Sequence, residues 1–204
     1  MRSESGWAVG TNAPFFTPSL SAQSTGETAG LNVGQATIVR TTDGNVDLHL
    51  DIKSPLWAGF DRIEVYVNNA PQRWDHDNNP ATRMRYRVIP DITLNAGPDF
   101  VVSIVEDIPA FPGAGHREAS VTIPLAGLTE DSWVVVLVRG TPGVSRPLFP
   151  VLPYSIDPAT NTTLADLVDG NLGEGGETAL AFSNPLYVDV DGGGFTAPGV
   201  RITP

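Results

Sequence analysis

The most constraining feature of this sequence is a run of eight residues in which apolar and polar side chains alternate strictly. Residues 46–53 read Val-Asp-Leu-His-Leu-Asp-Ile-Lys. Successive side chains of a β-strand point to opposite faces, so this period of two predicts a strand with one buried and one exposed face. The turn residues Asp43-Gly44-Asn45 precede the run, and β-branched residues dominate 35–42. We therefore expect 35–42 and 46–53 to pair as a hairpin.

Similar short runs, separated by turn residues, recur along the chain. They predict strands at 62–68, 83–88, 100–105, 119–123, 178–183 and 186–190. The continuously apolar segment 133–138 is typical of a central strand that is buried on both faces. Together these runs predict an all-β fold, an immunoglobulin-like antiparallel sandwich. The predicted core consists of Val46, Leu48, Leu50, Ile52, Ile63, Val65, Val67, Val134, Val136 and Val138.

The composition changes near residue 150. Five prolines lie between residues 141 and 158, and proline interrupts the hydrogen-bond ladder of a sheet. We expect residues 1–150 to form the β-sandwich domain. Residues 151–204 are expected to form an acidic, Pro/Gly-rich extension that packs on the sandwich, with a short helix at 163–168 and one or two strands.

The charge balance excludes several classes of function. The chain has 12 basic and 23 acidic residues, a net charge of −11, which argues against binding to nucleic acid or to an anionic membrane surface. No apolar run is long enough to insert into a membrane. The absence of cysteine excludes disulfides and thiolate metal sites. The acidic, cysteine-free composition predicts an extracellular or periplasmic location, and the start of the chain suggests a piece of a longer protein.

Two acidic segments have a spacing that suits calcium. In 189–194, Asp189 and Asp191 stand two residues apart, and Gly194 takes the sixth position of a calcium loop. The fifth position is Gly193, which has no side-chain oxygen. The alternative is an acidic turn whose glycines permit a positive φ.

The second candidate calcium segment is 75–80. Here Asp75, Asp77 and Asn79 match the first, third and fifth ligand positions, but Pro80 stands where glycine is needed. The alternative is an ordinary loop between two strands, because Asp and Asn are common turn residues.

Two polar strand faces carry weaker signals. Asp47, His49 and Asp51 share the polar face of 46–53, where they could share a proton or an ion, but a solvated strand face has the same composition. Arginines at 83, 85 and 87 could bind an anion, although pairing with acids on a neighbouring strand is the simpler interpretation.

The chain has no nucleophile elbow, no Walker loop and no H-E-x-x-H motif, so we do not expect an enzyme.

Four segments of the chain, in order, match the patterns of a known family. They are Thr11-Asn12-Ala13-Pro14-Phe15, then Pro55-Leu56-Trp57 with 61–68, then 131–136, and finally 181–192. The corresponding patterns are T-N-G-P, aPxW…vdrvevyvNG, D-S-W-I-V-V and aiTNPIyvDvDGdG. The chain thereby resembles the C-terminal β-sandwich region of CehA/McbA-type proteins of the PHP metallohydrolase superfamily. Departures from the family patterns are Ala13, Asn69 and Gly193.

The resemblance implies an accessory role. The family's catalytic metal ligands belong to an upstream domain with an H-x-H motif, and this chain has no such motif. The expected function is therefore a non-catalytic accessory or interaction domain whose partner is that upstream catalytic domain. The alternative is an extracellular, calcium-stabilised module that binds a small molecule or a glycan.

Overall fold

The computed structural model describes residues 9–11, 13–32, 34–68, 90–107, 114–141, 144–145 and 178–198. These residues form twelve β-strands and no helix. The expected strand at 83–88 and the expected helix at 163–168 lie outside them. The strands are β1 Val9–Thr11, β2 Phe15–Ala22, β3 Glu27–Gly30, β4 Ile38–Arg40, β5 Val46–Pro55, β6 Arg62–Val67, β7 Ile92–Asn95, β8 Ser103–Glu106, β9 Gly115–Leu125, β10 Ser132–Arg139, β11 Leu180–Ser183 and β12 Leu186–Asp189.

The strands form two sheets that pack as a sandwich. The smaller sheet has five strands in the order β3-β2-β5-β9-β8. The larger sheet has seven described strands. In it β10 pairs with β6 on one side and with both β11 and β12 on the other, β7 lies beyond β6, and β1 and β4 lie beyond β11 and β12. Every pairing is antiparallel except that of β4 with β12. The predicted all-β sandwich is confirmed.

The core lies between the two sheets and follows the alternation of the sequence. In β5 the side chains of Val46, Leu48, Leu50 and Ile52 are buried, while the residues between them face outward. The same alternation in β6 and β10 buries the remaining six residues of the predicted core. All of them belong to one hydrophobic cluster that joins the two sheets.

The expected hairpin between 35–42 and 46–53 is wrong. The strand Ile38–Arg40 joins the larger sheet, where it runs parallel to β12, and Val46–Pro55 lies in the smaller sheet. Both edges of β5 are already occupied, by β2 and by β9, so no edge is free for β4. The turn between β4 and β5 crosses from one sheet to the other. At its tip Gly44 has a φ of 69°, and a Cβ there would lie 2.2 Å from the carbonyl oxygen of Leu128.

The prediction that 133–138 forms a central strand is confirmed, but the prediction that both of its faces are buried is wrong. The strand β10 is central, with neighbours on both edges. Only one of its faces is fully buried, because Trp133, Val135 and Leu137 on the outer face are half-exposed. The continuous apolar run therefore marks a strand with an apolar outer face.

The last two strands belong to the sandwich itself. The strands β11 and β12 pair directly with β10, and the backbone N–H of Gly140 donates to the carbonyl oxygen of Ala179 at 2.8 Å. The two strands expected in the extension are thus strands of the larger sheet. Residues 146–177 lie outside the described residues, so the boundary at residue 150 stays a prediction.

The alternation in β5 yields a direct test of its register. Replacing the fully buried Leu48 by alanine should lower the free energy of unfolding by about 2–5 kcal/mol, because a cavity remains in the core. Replacing the exposed Lys53 of the same strand should change it by less than about 0.5 kcal/mol. Urea denaturation measures both. Equal effects would contradict this register, since a slip of one residue exchanges the two faces.

Candidate functional site

Three carboxylates meet at one end of the larger sheet. Asp189 ends β12, Asp191 follows it by two residues, and Asp131 directly precedes β10. One carboxylate oxygen from each lies within 4.8 Å of those of the other two. The pairing of β10 with β12, with Ser132 opposite Val188, brings them together. The structure thus places the predicted pair Asp189 and Asp191 side by side and adds a third aspartate.

Backbone N–H groups bind these carboxylates. Asp131 accepts from the N–H of Val190 at 2.9 Å and from that of Thr196. Asp189 accepts from the N–H groups of Gly192 at 2.7 Å and Gly194 at 3.0 Å. Since Gly192 has a φ of 74° and Gly194 a φ of 94°, the glycines allow the chain to curl around the carboxylate of Asp189. The cluster therefore organises the turn after β12.

Arg40 lies beside this cluster, opposite Asp189 in the β4–β12 pairing, and Asp189 is only 2% exposed. The hydrogen-bonded ion pair with Glu27 raises the pKa of Arg40, and the charge of Asp189 adds a smaller effect in the same direction. Arg40 thus faces one of the three carboxylates while it is paired with Glu27.

The cluster matches calcium in ligand type. Calcium takes six to eight oxygen ligands, and carboxylates are prominent among them. Asp131, Asp189 and Asp191 offer three carboxylates at one place, and the exposed position of Asp191 leaves a path from solvent. The same groups also stabilise the turn through the backbone bonds, so the arrangement can either fix a loop or bind a cation.

The other candidate calcium residues, Asp75, Asp77 and Asn79, lie outside the described residues, as do the arginines at 83, 85 and 87. They stay predictions.

The polar face of β5 has the orientation expected from its sequence, and it forms side-chain hydrogen bonds with both neighbouring strands. His49 lies between Ser21 of β2 and Thr122 of β9, with nitrogen-to-oxygen distances of 2.8 and 3.0 Å. Asp51 accepts a hydrogen bond from Ser120 at 2.7 Å. This face also carries Asp47, which accepts a hydrogen bond from Gln23 at 3.4 Å. None of the hydrogen bonds described for this face joins two of the residues Asp47, His49 and Asp51.

The outer face of the larger sheet is apolar at its centre. Leu137 lies opposite Phe182, and Trp133 lies opposite Tyr187. Phe182 is 48% exposed. Outer faces of antiparallel sheets are ordinarily polar, so an apolar one is typical of a surface that another element covers.

A buried ion cluster borders this apolar face. Glu64 is only 4% exposed, and its Oε1 lies 2.7 Å from nitrogens of both Arg62 and Arg139. Its Oε2 accepts a hydrogen bond from the hydroxyl of Tyr66 at 2.6 Å. Burial raises the pKa of Tyr66, and the charge of Glu64 raises it further. Two guanidinium groups share one carboxylate, which leaves an excess positive charge beside the apolar face.

A half-open pocket lies between the β9–β10 turn and the start of β7. Its charged lining residues are Asp91 and Glu130, and the carboxylate of Asp91 already accepts the N–H of Val67 at 2.7 Å. Among the described residues, this lining contains neither a histidine nor a basic residue.

Comparisons with known proteins give no match, either to a family model, to a curated protein or to a solved structure. In the part of the chain that the structure describes, no helix is long and apolar enough to cross a membrane.

Sequence reasoning missed Asp131, Ser21 and Thr122 as partners in these clusters. Asp131 lies 58 residues before Asp189 in the chain, so only the pairing of β10 with β12 reveals its place. Ser21 belongs to β2, a strand that was not predicted from the sequence.

The hydrogen bonds of Asp131 predict a structural cost for its removal. Asp131→Ala leaves two backbone N–H groups without their acceptor, which should lower the free energy of unfolding by about 1–3 kcal/mol in the presence of a chelator. Asp191→Ala is the matched control, because Asp191 is exposed and, among the described residues, accepts one backbone N–H, that of Gly193, so its effect should be clearly smaller. Equal losses in urea denaturation would refute the anchoring role of Asp131.

Proposed function

We propose that this chain is a non-catalytic accessory domain that packs through the outer face of its larger sheet against an upstream catalytic domain of a PHP-type metallohydrolase-like protein. The observation that carries the proposal is the apolar centre of that face, around Val135, Leu137 and Phe182. A domain that acts alone gains nothing from leaving such a face half-exposed to solvent.

Each of the four segments that resemble the family contributes residues to this same sheet, which supports the proposal. Thr11 of the first segment lies opposite Ala181 of the last. Asn68, at the end of the second, adopts a φ of 52°, and its side-chain Oδ1 accepts the N–H of Trp133 in the third at 2.9 Å. The third and last segments pair through Ser132 and Val188. Segments far apart in sequence thus cooperate in one structure.

An immunoglobulin-like topology is part of the proposal. Immunoglobulin-type sandwiches place strands A, B, E and D in one sheet and C, F and G in the other. The strand order β2-β5-β9-β8 in the smaller sheet supports this arrangement, as does the order β7-β6-β10-β12 in the larger one. The short strands β1, β3 and β4 are additions at the sheet edges. An extracellular or periplasmic location, favoured by the acidic and cysteine-free composition, completes the proposal.

The experiment begins with the reading frame upstream of residue 1 in the native gene. We expect it to encode a domain with an H-x-H motif. That domain and this chain, purified separately, should associate in a calorimetric titration. Phe182→Asp should weaken the association at least tenfold, or about 1.4 kcal/mol, because it places a charge in the apolar face.

The matched control is Ile104→Asp. Ile104 is an exposed apolar residue on β8, in the other sheet, and its replacement should leave the affinity unchanged. Absence of an upstream H-x-H domain, or equal effects of the two replacements, would overturn the proposed packing. Hydrolysis of phosphoesters by this chain alone would contradict a non-catalytic role.

The second candidate function is a calcium-stabilised binding module, and the meeting of Asp131 with Asp189 and Asp191 favours it. A cation that binds only the folded state must raise the melting temperature. The melting temperature should therefore be higher in millimolar calcium than in chelator, and Asp191→Asn should reduce the difference. The same melting temperature in both solutions would exclude calcium binding by the folded chain.

A further inference from the structure

A serine, a histidine and a threonine form a continuous hydrogen-bonded line across three adjacent strands of the smaller sheet. The Oγ of Ser21 lies 2.8 Å from Nε2 of His49, and Nδ1 of His49 lies 3.0 Å from Oγ1 of Thr122. The register of β2, β5 and β9 sets these distances, with Thr122 directly opposite His49 and Ser21 diagonal to it. All three side chains are at least partly exposed, so a reagent in solution reaches them.

The geometry is that of an oriented base beside a hydroxyl. When Nδ1–H donates to Thr122, the lone pair of Nε2 faces Ser21 and accepts its hydroxyl proton. A nucleophile within hydrogen-bond distance of a base that a third group orients is the general arrangement of activated serines. Thr122 is here a positioning residue, because its hydroxyl is hydrogen-bonded to the imidazole.

We propose that Ser21 is a nucleophilic serine that takes up the acyl group of an activated ester, with His49 as its general base. Oγ of Ser21 forms a bond to the carbonyl carbon while its proton passes to Nε2 of His49. The bond from that carbon to the oxygen of the leaving group breaks, and the proton passes from Nε2 of His49 to the departing oxygen. Since Ser21 lies on an open sheet face, little binding energy holds a substrate, and the reaction is a stoichiometric modification that leaves the accessory role intact.

The test uses p-nitrophenyl acetate with the full chain, followed by mass spectrometric mapping of the acetylated residue. Ser21 should be acetylated about 10²-fold faster than Ser120, the size of a general-base contribution. Ser120 is the matched reference, because it lies on the same face and donates instead to the carboxylate of Asp51 at 2.7 Å.

Replacements of His49 and Thr122 distinguish a chemical role of these residues from a purely structural one. In His49→Gln the rate at Ser21 should fall to that of Ser120, while melting curves verify that the variant is folded. Thr122→Val should lower the rate and Thr122→Ser should restore it, because only a hydroxyl orients the ring. Acetylation at Lys53 or the amino terminus without Ser21, or a rate at Ser21 that His49→Gln does not change, would overturn the proposal.

Discussion

The larger sheet depends on the central strand β10 and the register in which its neighbours bind to it. Three strands pair with it, and its alternate valines form the middle of the core. The same register places Asp131 beside Asp189 and Trp133 beside Tyr187. A slip of one residue would expose the valines and separate the aspartates, so the core and the carboxylate cluster stabilise the same pairing.

The alternation of side chains made much of this fold predictable. In β5 and β6 each second residue is apolar, and these residues lie in the core. In β10 both faces are apolar, so the sequence does not distinguish the buried face from the half-exposed one. The partner of each strand was less predictable. The hairpin expected for 35–42 failed because β5 already has two neighbours, a fact that local turn residues cannot reveal. The strand β2 was not predicted, and it contains Pro18. Proline is tolerated there because the pairing of β2 with β3 begins at Ser19, so β3 does not lie beside Pro18.

The candidate sites were predictable only where their residues are neighbours in sequence. Asp189 and Asp191 form one turn, so their spacing alone indicated a cluster, whereas Asp131 reaches it through long-range pairing. The same holds for Ser21 and Thr122, which meet His49 from different strands. Sequence periodicity assigns a residue to a face, but a site needs the lateral order of strands, which depends on the packing of the whole chain.

The two outer faces of the sandwich have opposite chemistry, and this divides the possible functions between them. The outer face of the smaller sheet carries hydroxyls, carboxylates and His49, and these side chains form hydrogen bonds with one another. The larger sheet presents Val135, Leu137 and Phe182 beside a cluster in which two arginines share Glu64. Desolvation of an excess positive charge is costly, so the proposed packing over the larger sheet would favour a partner with acidic groups at its rim. The serine proposed as a nucleophile lies on the opposite face, which that packing would leave in solvent.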